Sequence, residues 1–290
     1  MSTVAPSQAN QVDDEIVRKI LGYINDIRPM PTSVSRVLTA LDNQNSDAEI
    51  ISEFLGLDQA LTANVLSAAN SVILGYGPSC SNLNDAVMRL GFKKLRTIVL
   101  GVGVSNTFDS SLPTYGLMTG DLWNHSVATA VAAQWLARTF SMPNPEDIYV
   151  AGLLHDIGKL VLDRFARVYF PNLDRTAREF NCPFFQIEDR VFGINHAVVG
   201  GVLARKWNFP DVLANPIEDH HSPGQAKGNK RIAAIINIAN AFNPIDSVTL
   251  QRLGKRTYDP KAMEILKLTE KDLFRLNDEM NRYFKPQINS

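Results

Sequence analysis

The chain has 290 residues, 45% of them apolar and 20% charged, and a net charge of −1. A chain of this length forms one large domain or two small ones, with a sizeable core that needs no staples. The balanced charge excludes a bulk pull toward nucleic acid or anionic lipid, and apolar runs such as Ile98–Val104 fall far short of the roughly 20 residues of a membrane span.

Met1–Val12 is polar, lacks the regions of a signal peptide, and is expected as a disordered tail on a cytoplasmic protein. Beyond it the apolar period is 3.6 almost throughout, so the predicted fold class is all-α. Ile16, Val17, Ile20, Leu21 and Ile24 form one helical stripe, stopped by Pro29 and Pro31. Thr32 or Ser33 is expected to cap a helix through Leu41. Ser46 with Glu49 reads as a capping box, and Asp58 as the start of the next helix. Helices follow over Leu83–Leu90, closed by Gly91, and over Lys93–Gly103. A Ser/Pro/Gly-rich loop near 109–120 leads to a long helix over Leu122–Phe140, which Pro143 and Pro145 break. Pro145 opens a helix carrying His155-Asp156 near its carboxyl end. Further helices are predicted at 163–180, 183–192, 195–207, 210–220, 229–242 and 269–284, the last opened by Thr269 with Asp272. Cys80 and Cys182 sit far apart among small or apolar neighbours, as free thiols of a reducing compartment would.

Only five histidines are present: His125, His155, His196, His220 and His221. Imidazole and carboxylate suit borderline and hard divalent cations. The order His, His-Asp, His, His-His resembles that of the HD superfamily of metal-dependent phosphohydrolases, and the string His155-Asp156-Ile157-Gly158-Lys159 is shared with its active members. Met30-Pro31-Thr32, Leu57-Asp58-Gln59-Ala60-Leu61-Thr62, Ala69-Asn70-Ser71 and Ala86-Val87-Met88-Arg89-Leu90-Gly91 resemble successive landmarks of the HDOD domain, a bacterial all-helical signalling module. With the histidine half, the likeness covers residues 16–245. It implies an HDOD domain over 13–245, divided into an amino-terminal helical part, 13–110, and an HD-like part, 111–245. Residues 246–290 would form a helical extension.

Taken alone, each histidine has an ordinary structural reading. His125 could fill the core of the long helix, His196 could sit at a helix start capped by Asn195, and His220-His221 could complement a helix carboxyl end. The resemblance instead implies that His125, His155, Asp156, His196, His220 and His221 gather in one cavity. There they would hold one or two ions of iron, manganese, zinc or nickel, with Asp156 and Lys159 as the catalytic pair of an active enzyme. HD hydrolases normally supply a further aspartate from a late helix, where this chain has Asn240; an amide can ligate but brings no charge. The Gly-Tyr-Pro of cyclic-di-GMP phosphodiesterases is replaced by Ser222-Pro223-Gly224, which argues against that substrate. The expected role is a regulatory HDOD module with a retained metal site and signalling proteins as partners, acting on neither nucleic acid nor membrane. The alternative is a phosphohydrolase or phosphodiesterase that takes a nucleotide or signalling phosphoester.

Lys93-Lys94-Leu95-Arg96 reads as a solvated helix face, and Gly101-Val102-Gly103 lacks the strand and third glycine of a dinucleotide loop.

Overall fold

A computed structural model describes residues 6–27, 29–71, 79–108, 110–242 and 257–288, and among them the regular structure is helical. The helices are α1 (Pro6–Tyr23), α2 (Thr32–Asp42), α3 (Ala48–Gly56), α4 (Gln59–Ala69), α5 (Leu83–Phe108), α6 (Asp121–Thr139), α7 (Pro145–Leu154) and α8 (Gly158–Tyr169). They continue with α9 (Leu173–Glu179), α10 (Phe184–Phe192), α11 (His196–Lys206), α12 (Asp211–Asp219), α13 (Lys230–Phe242), α14 (Pro260–Leu266) and α15 (Glu270–Ile288). No helix among the described residues is long and apolar enough to cross a membrane.

The chain divides into two compact units, residues 29–107 and residues 1–28 with 108–290. In the first unit, α2, α3 and α4 pack in succession around Val34, Val37, Ile51, Leu55, Leu61 and Val65, all buried. Asp58 caps α4 as expected, its Oδ1 accepting from the Ala60 and Leu61 amides at 2.9 and 3.1 Å. Two expected caps move. Asp47, not Ser46, caps α3 through the Ile50 amide, and neither Thr32 nor Ser33 caps α2, because the Ser33 hydroxyl donates to Asp58 Oδ2 instead. A free carboxylate next in line outcompetes a hydroxyl for the same amides. Gly91, at φ 70°, kinks α5 where the sequence places a helix boundary.

In the second unit, α6 packs on α7 and α13, α11 on α8 and α12, and α7 on α12. The first helix belongs here: Tyr23 meets Phe165 of α8 edge-on, and Lys206 Nζ donates to Asn25 Oδ1 at 2.6 Å. It begins at Pro6, so residues 6–12 are helical rather than part of a disordered tail; Met1–Ala5 lie outside the described residues. The helix expected over 163–180 is two, α8 and α9, separated at Phe170-Pro171, where proline denies the backbone an amide donor. The short α14, capped by Asp259 with Pro260 behind it, lies within the stretch expected as a helical extension. Thr269 and Asp272 do form the expected capping box of α15. Cys80 and Cys182 are free thiols. The expected boundary at 245–246 lies outside the described residues.

Candidate metal centre

Helix α7 ends at Leu154, and α8 starts at Gly158. His155, Asp156 and Ile157 form the tight junction between them, closed by the Ile157 amide on Leu154 O and the Lys159 amide on Asp156 O, each at 3.0 Å. Gly158 therefore opens a helix rather than ending one. It is glycine because of a close approach: a Cβ there would lie 2.0 Å from His196 O and 2.7 Å from the Gly200 amide of α11. This contact carries Asp156 up to the first turn of α11.

The five histidines meet around Asp156. His125 comes from the first turns of α6, His196 opens α11, and His220-His221 follow the end of α12. His125, His155 and Asp156 form one group whose ligand atoms lie within 4.8 Å of one another, and His196, His220 and His221 form a second. Asp156 faces both. Its Oδ2 is 3.2 Å from His125 Nε2 and 3.4 Å from His155 Nε2, while its Oδ1 is 3.0 Å from His196 Nε2. His220 links the groups, its ring 5.0 Å from that of His155 and 4.0 Å from that of His221. His125, His155, Asp156, His196 and His220 are buried, whereas His221 is half-buried and stacks on Phe185 at 4.1 Å.

Three of the rings are oriented by their far nitrogens. His155 Nδ1 donates to Gly152 O at 2.7 Å, His220 Nδ1 to Ile217 O at 2.8 Å, and His196 Nδ1 to Glu188 Oε2 at 2.6 Å. Those acceptors can only accept, so the neutral rings of His155 and His220 present a bare Nε2 lone pair to the interior, while His196 Nε2 lies 2.9 Å from His221 Nε2 and 3.0 Å from Asp156 Oδ1. The buried Nε2 atoms of His155 and His220 have no hydrogen-bond partner. Enclosed lone pairs facing a carboxylate repel one another unless a cation stands among them, so the donor set fits a divalent metal.

Electrostatics agree for three of the rings, His125, His220 and His221. Burial holds His125 down to about 3 despite Asp156 beside it, and burial with the neighbouring imidazoles keeps His220 and His221 well below the ordinary histidine value. Neutral imidazoles are the ligating form. For Asp156 burial opposes ionisation, but His155, Lys159, His196 and His125 outweigh it and hold the carboxyl well below its usual range. Burial likewise opposes charge on His196, and Glu188 and Asp156 reverse the sign, raising it. Lys159 Nζ is 2.6 Å from Asp156 Oδ2 and 5.9 Å from the centre of the Tyr115 ring. Asn240 stands on the last turn of α13, half-buried with its side-chain oxygen enclosed, and α13 packs on α6 and α12.

Sequence reasoning missed Glu188 and Tyr115. Tyr115 Oη donates to Glu188 Oε1 at 2.8 Å, and both residues are fully buried. A signal was there: Phe184, Glu188 and Phe192 recur every four residues, which puts a carboxylate in the middle of an apolar stripe.

A family model described as the HDOD domain matches residues 27–223. The chain belongs to the HDOD family. A Treponema pallidum protein without an assigned function is 26% identical over 78% of this chain and 44% of its own length. Ribonuclease Y of Mycoplasma mycoides is 28% identical over 50% of this chain and 21% of its own length. The chain thus spans less than half the length of these curated relatives. Among solved structures, an HDOD domain protein of unknown function from Geobacter sulfurreducens superposes with a TM-score of 0.69 at 24% identity, covering 93% of this chain and 96% of that one. A Shewanella amazonensis protein provisionally named a phosphohydrolase gives 0.66 at 23% identity, covering 91% and 93%. At these identities the HDOD fold alone is shared.

Proposed function

We propose that this HDOD protein is a regulatory module that holds one or two divalent transition-metal ions in its histidine cluster and acts through contacts with signalling proteins. The observation that carries this reading is the pair of buried, unpartnered Nε2 atoms on His155 and His220, turned inward by backbone carbonyls on their Nδ1 atoms beside the Asp156 carboxylate and His196. Imidazole-rich sites favour iron, manganese, zinc or nickel over magnesium or calcium. His125, His155 and Asp156 would hold one ion, and His196, His220 and His221 the other. A metal held there supplies Lewis acidity. Asn240 adds no charge to the set, and Lys159 already neutralises Asp156, so phosphodiester hydrolysis is absent or very slow.

A second reading, a phosphohydrolase or phosphodiesterase acting on a nucleotide or signalling phosphoester, is favoured by one feature of the geometry. Asp156 presents an oxygen to each group, as two-metal hydrolases require of a shared ligand. The partial likeness to ribonuclease Y points the same way. In that case Asp156 and Lys159 are the catalytic pair. Elemental analysis of the purified protein, followed by a general phosphodiesterase assay with added Mn²⁺, separates the two. Bound metal that His155→Ala abolishes, without turnover, supports the regulatory module. Robust turnover lost in Asp156→Ala supports the enzyme, and absence of metal uptake contradicts both.

A further inference from the structure

We infer that Glu188 is the positioning residue of the second histidine group, orienting His196 and strengthening it as a ligand, with Tyr115 anchoring Glu188. The inference rests on the metal-binding reading above and adds to it two residues outside the ligand set. Glu188 Oε2 accepts twice from one residue, from the His196 amide at 2.7 Å and from its ring Nδ1 at 2.6 Å. Glu188 Oε1 accepts from Tyr115 Oη at 2.8 Å. Helix capping does not account for the ring contact, because Asn195 already caps α11 through the Ala197 and Val198 amides.

His155 and His220 rest on neutral backbone carbonyls, while His196 rests on a carboxylate. An anionic partner on Nδ1 raises the basicity of the opposite nitrogen, and partners of this kind change metal affinity about 10–100-fold. His196 is therefore the strongest imidazole donor of the three. Tyr115 is itself fixed. It ends the turn Pro113–Tyr115, whose Thr114 amide and hydroxyl both donate to buried Asp163 Oδ1, at 3.1 and 2.6 Å, and its ring lies edge-on against Phe184 at 5.0 Å. The string runs from that turn through α10 to the first residue of α11.

The test is Co²⁺ binding to the full chain, followed by visible absorption, in the wild type, Glu188→Gln, Tyr115→Phe and the double variant. Glutamine keeps an oxygen for both His196 donors, removes the charge, and sets its NH2 where Oε1 stood, so that Tyr115 Oη turns from donor to acceptor. Glu188→Gln is expected to weaken binding about 10-fold and alter the Co²⁺ absorption bands, with the far-UV circular dichroism of the wild type retained. Tyr115→Phe is expected to weaken binding less, and its loss should shrink in the Glu188→Gln background because it acts through that side chain. Glu188→Gln affinity within about twofold of wild type, or a Tyr115→Phe loss undiminished in the double variant, overturns the inference. Wild-type protein that takes up no Co²⁺ overturns the metal reading itself, and this inference with it.

Discussion

Lys159 Nζ lies 2.6 Å from Asp156 Oδ2 with both side chains buried, so the carboxylate at the centre of the histidine cluster carries its own internal cation. Removing one partner of a buried pair leaves an uncompensated charge, which costs about 3–5 kcal/mol. Lys159→Met should therefore destabilise the metal-free protein by about that amount. Saturating divalent metal should recover much of the loss, because it neutralises the same carboxylate. Urea unfolding with and without metal measures both, and an equal loss in the two conditions contradicts the idea.

Gly158→Ala tests the joint between α8 and α11. The new methyl would stand 2.0 Å from His196 O, a distance no side-chain shift can relieve because the opposing atom is backbone. Separating the two helices should cost about 3 kcal/mol and weaken metal binding by moving Asp156 away from His196. A variant as stable as the wild type would mean that the helices do not approach this closely.

Asn240→Asp restores the carboxylate that HD hydrolases place on the late helix. If position 240 belongs to the ligand set, as the HD resemblance implies, one more anionic group should tighten divalent metal binding by about 10-fold. Isothermal titration of metal into both proteins checks it. Unchanged or weaker affinity would remove Asn240 from the ligand set.

Asp58 gives the first unit an acid-sensitive element. Hydrogen bonds from the Ser33 hydroxyl and the Leu61 and Ala60 amides lower its carboxyl below the ordinary value. A lowered folded-state value means that the stabilisation is present above the unfolded value and is lost as pH falls through the folded one. Asp58→Ala should cost about 1 kcal/mol near neutral pH, and progressively less below about pH 4. Urea midpoints across that range decide it, and a loss independent of pH would contradict the capping role.

The all-α class and most helix positions were legible because their apolar stripes are long and their breaks fall at proline and glycine, as at Pro145 and Gly91. Where two capping candidates stand side by side, as Ser46 and Asp47 do, the local pattern does not rank the competing acceptors, and the cap falls one residue from the expected one. The histidines and Asp156 were legible as a set through family likeness. Their convergence depends on contacts between distant helices, such as Gly158 against His196, that periodicity does not encode. Glu188 was lost for a related reason: its only sequence mark is a charge in an apolar stripe, and its partners Tyr115 and His196 lie 73 and 8 residues away.

The central claim is that the histidine cluster holds divalent transition metal around Asp156. Anomalous X-ray scattering from crystals of the purified protein, recorded on both sides of the absorption edge of the metal found by elemental analysis, tests it most directly. The account predicts one or two anomalous peaks beside the Asp156 carboxylate, at coordinating distance from the Nε2 atoms of His155 and of His196 or His220, and their loss in His155→Ala. Crystals grown with metal in excess that show no peak at Asp156 would contradict it.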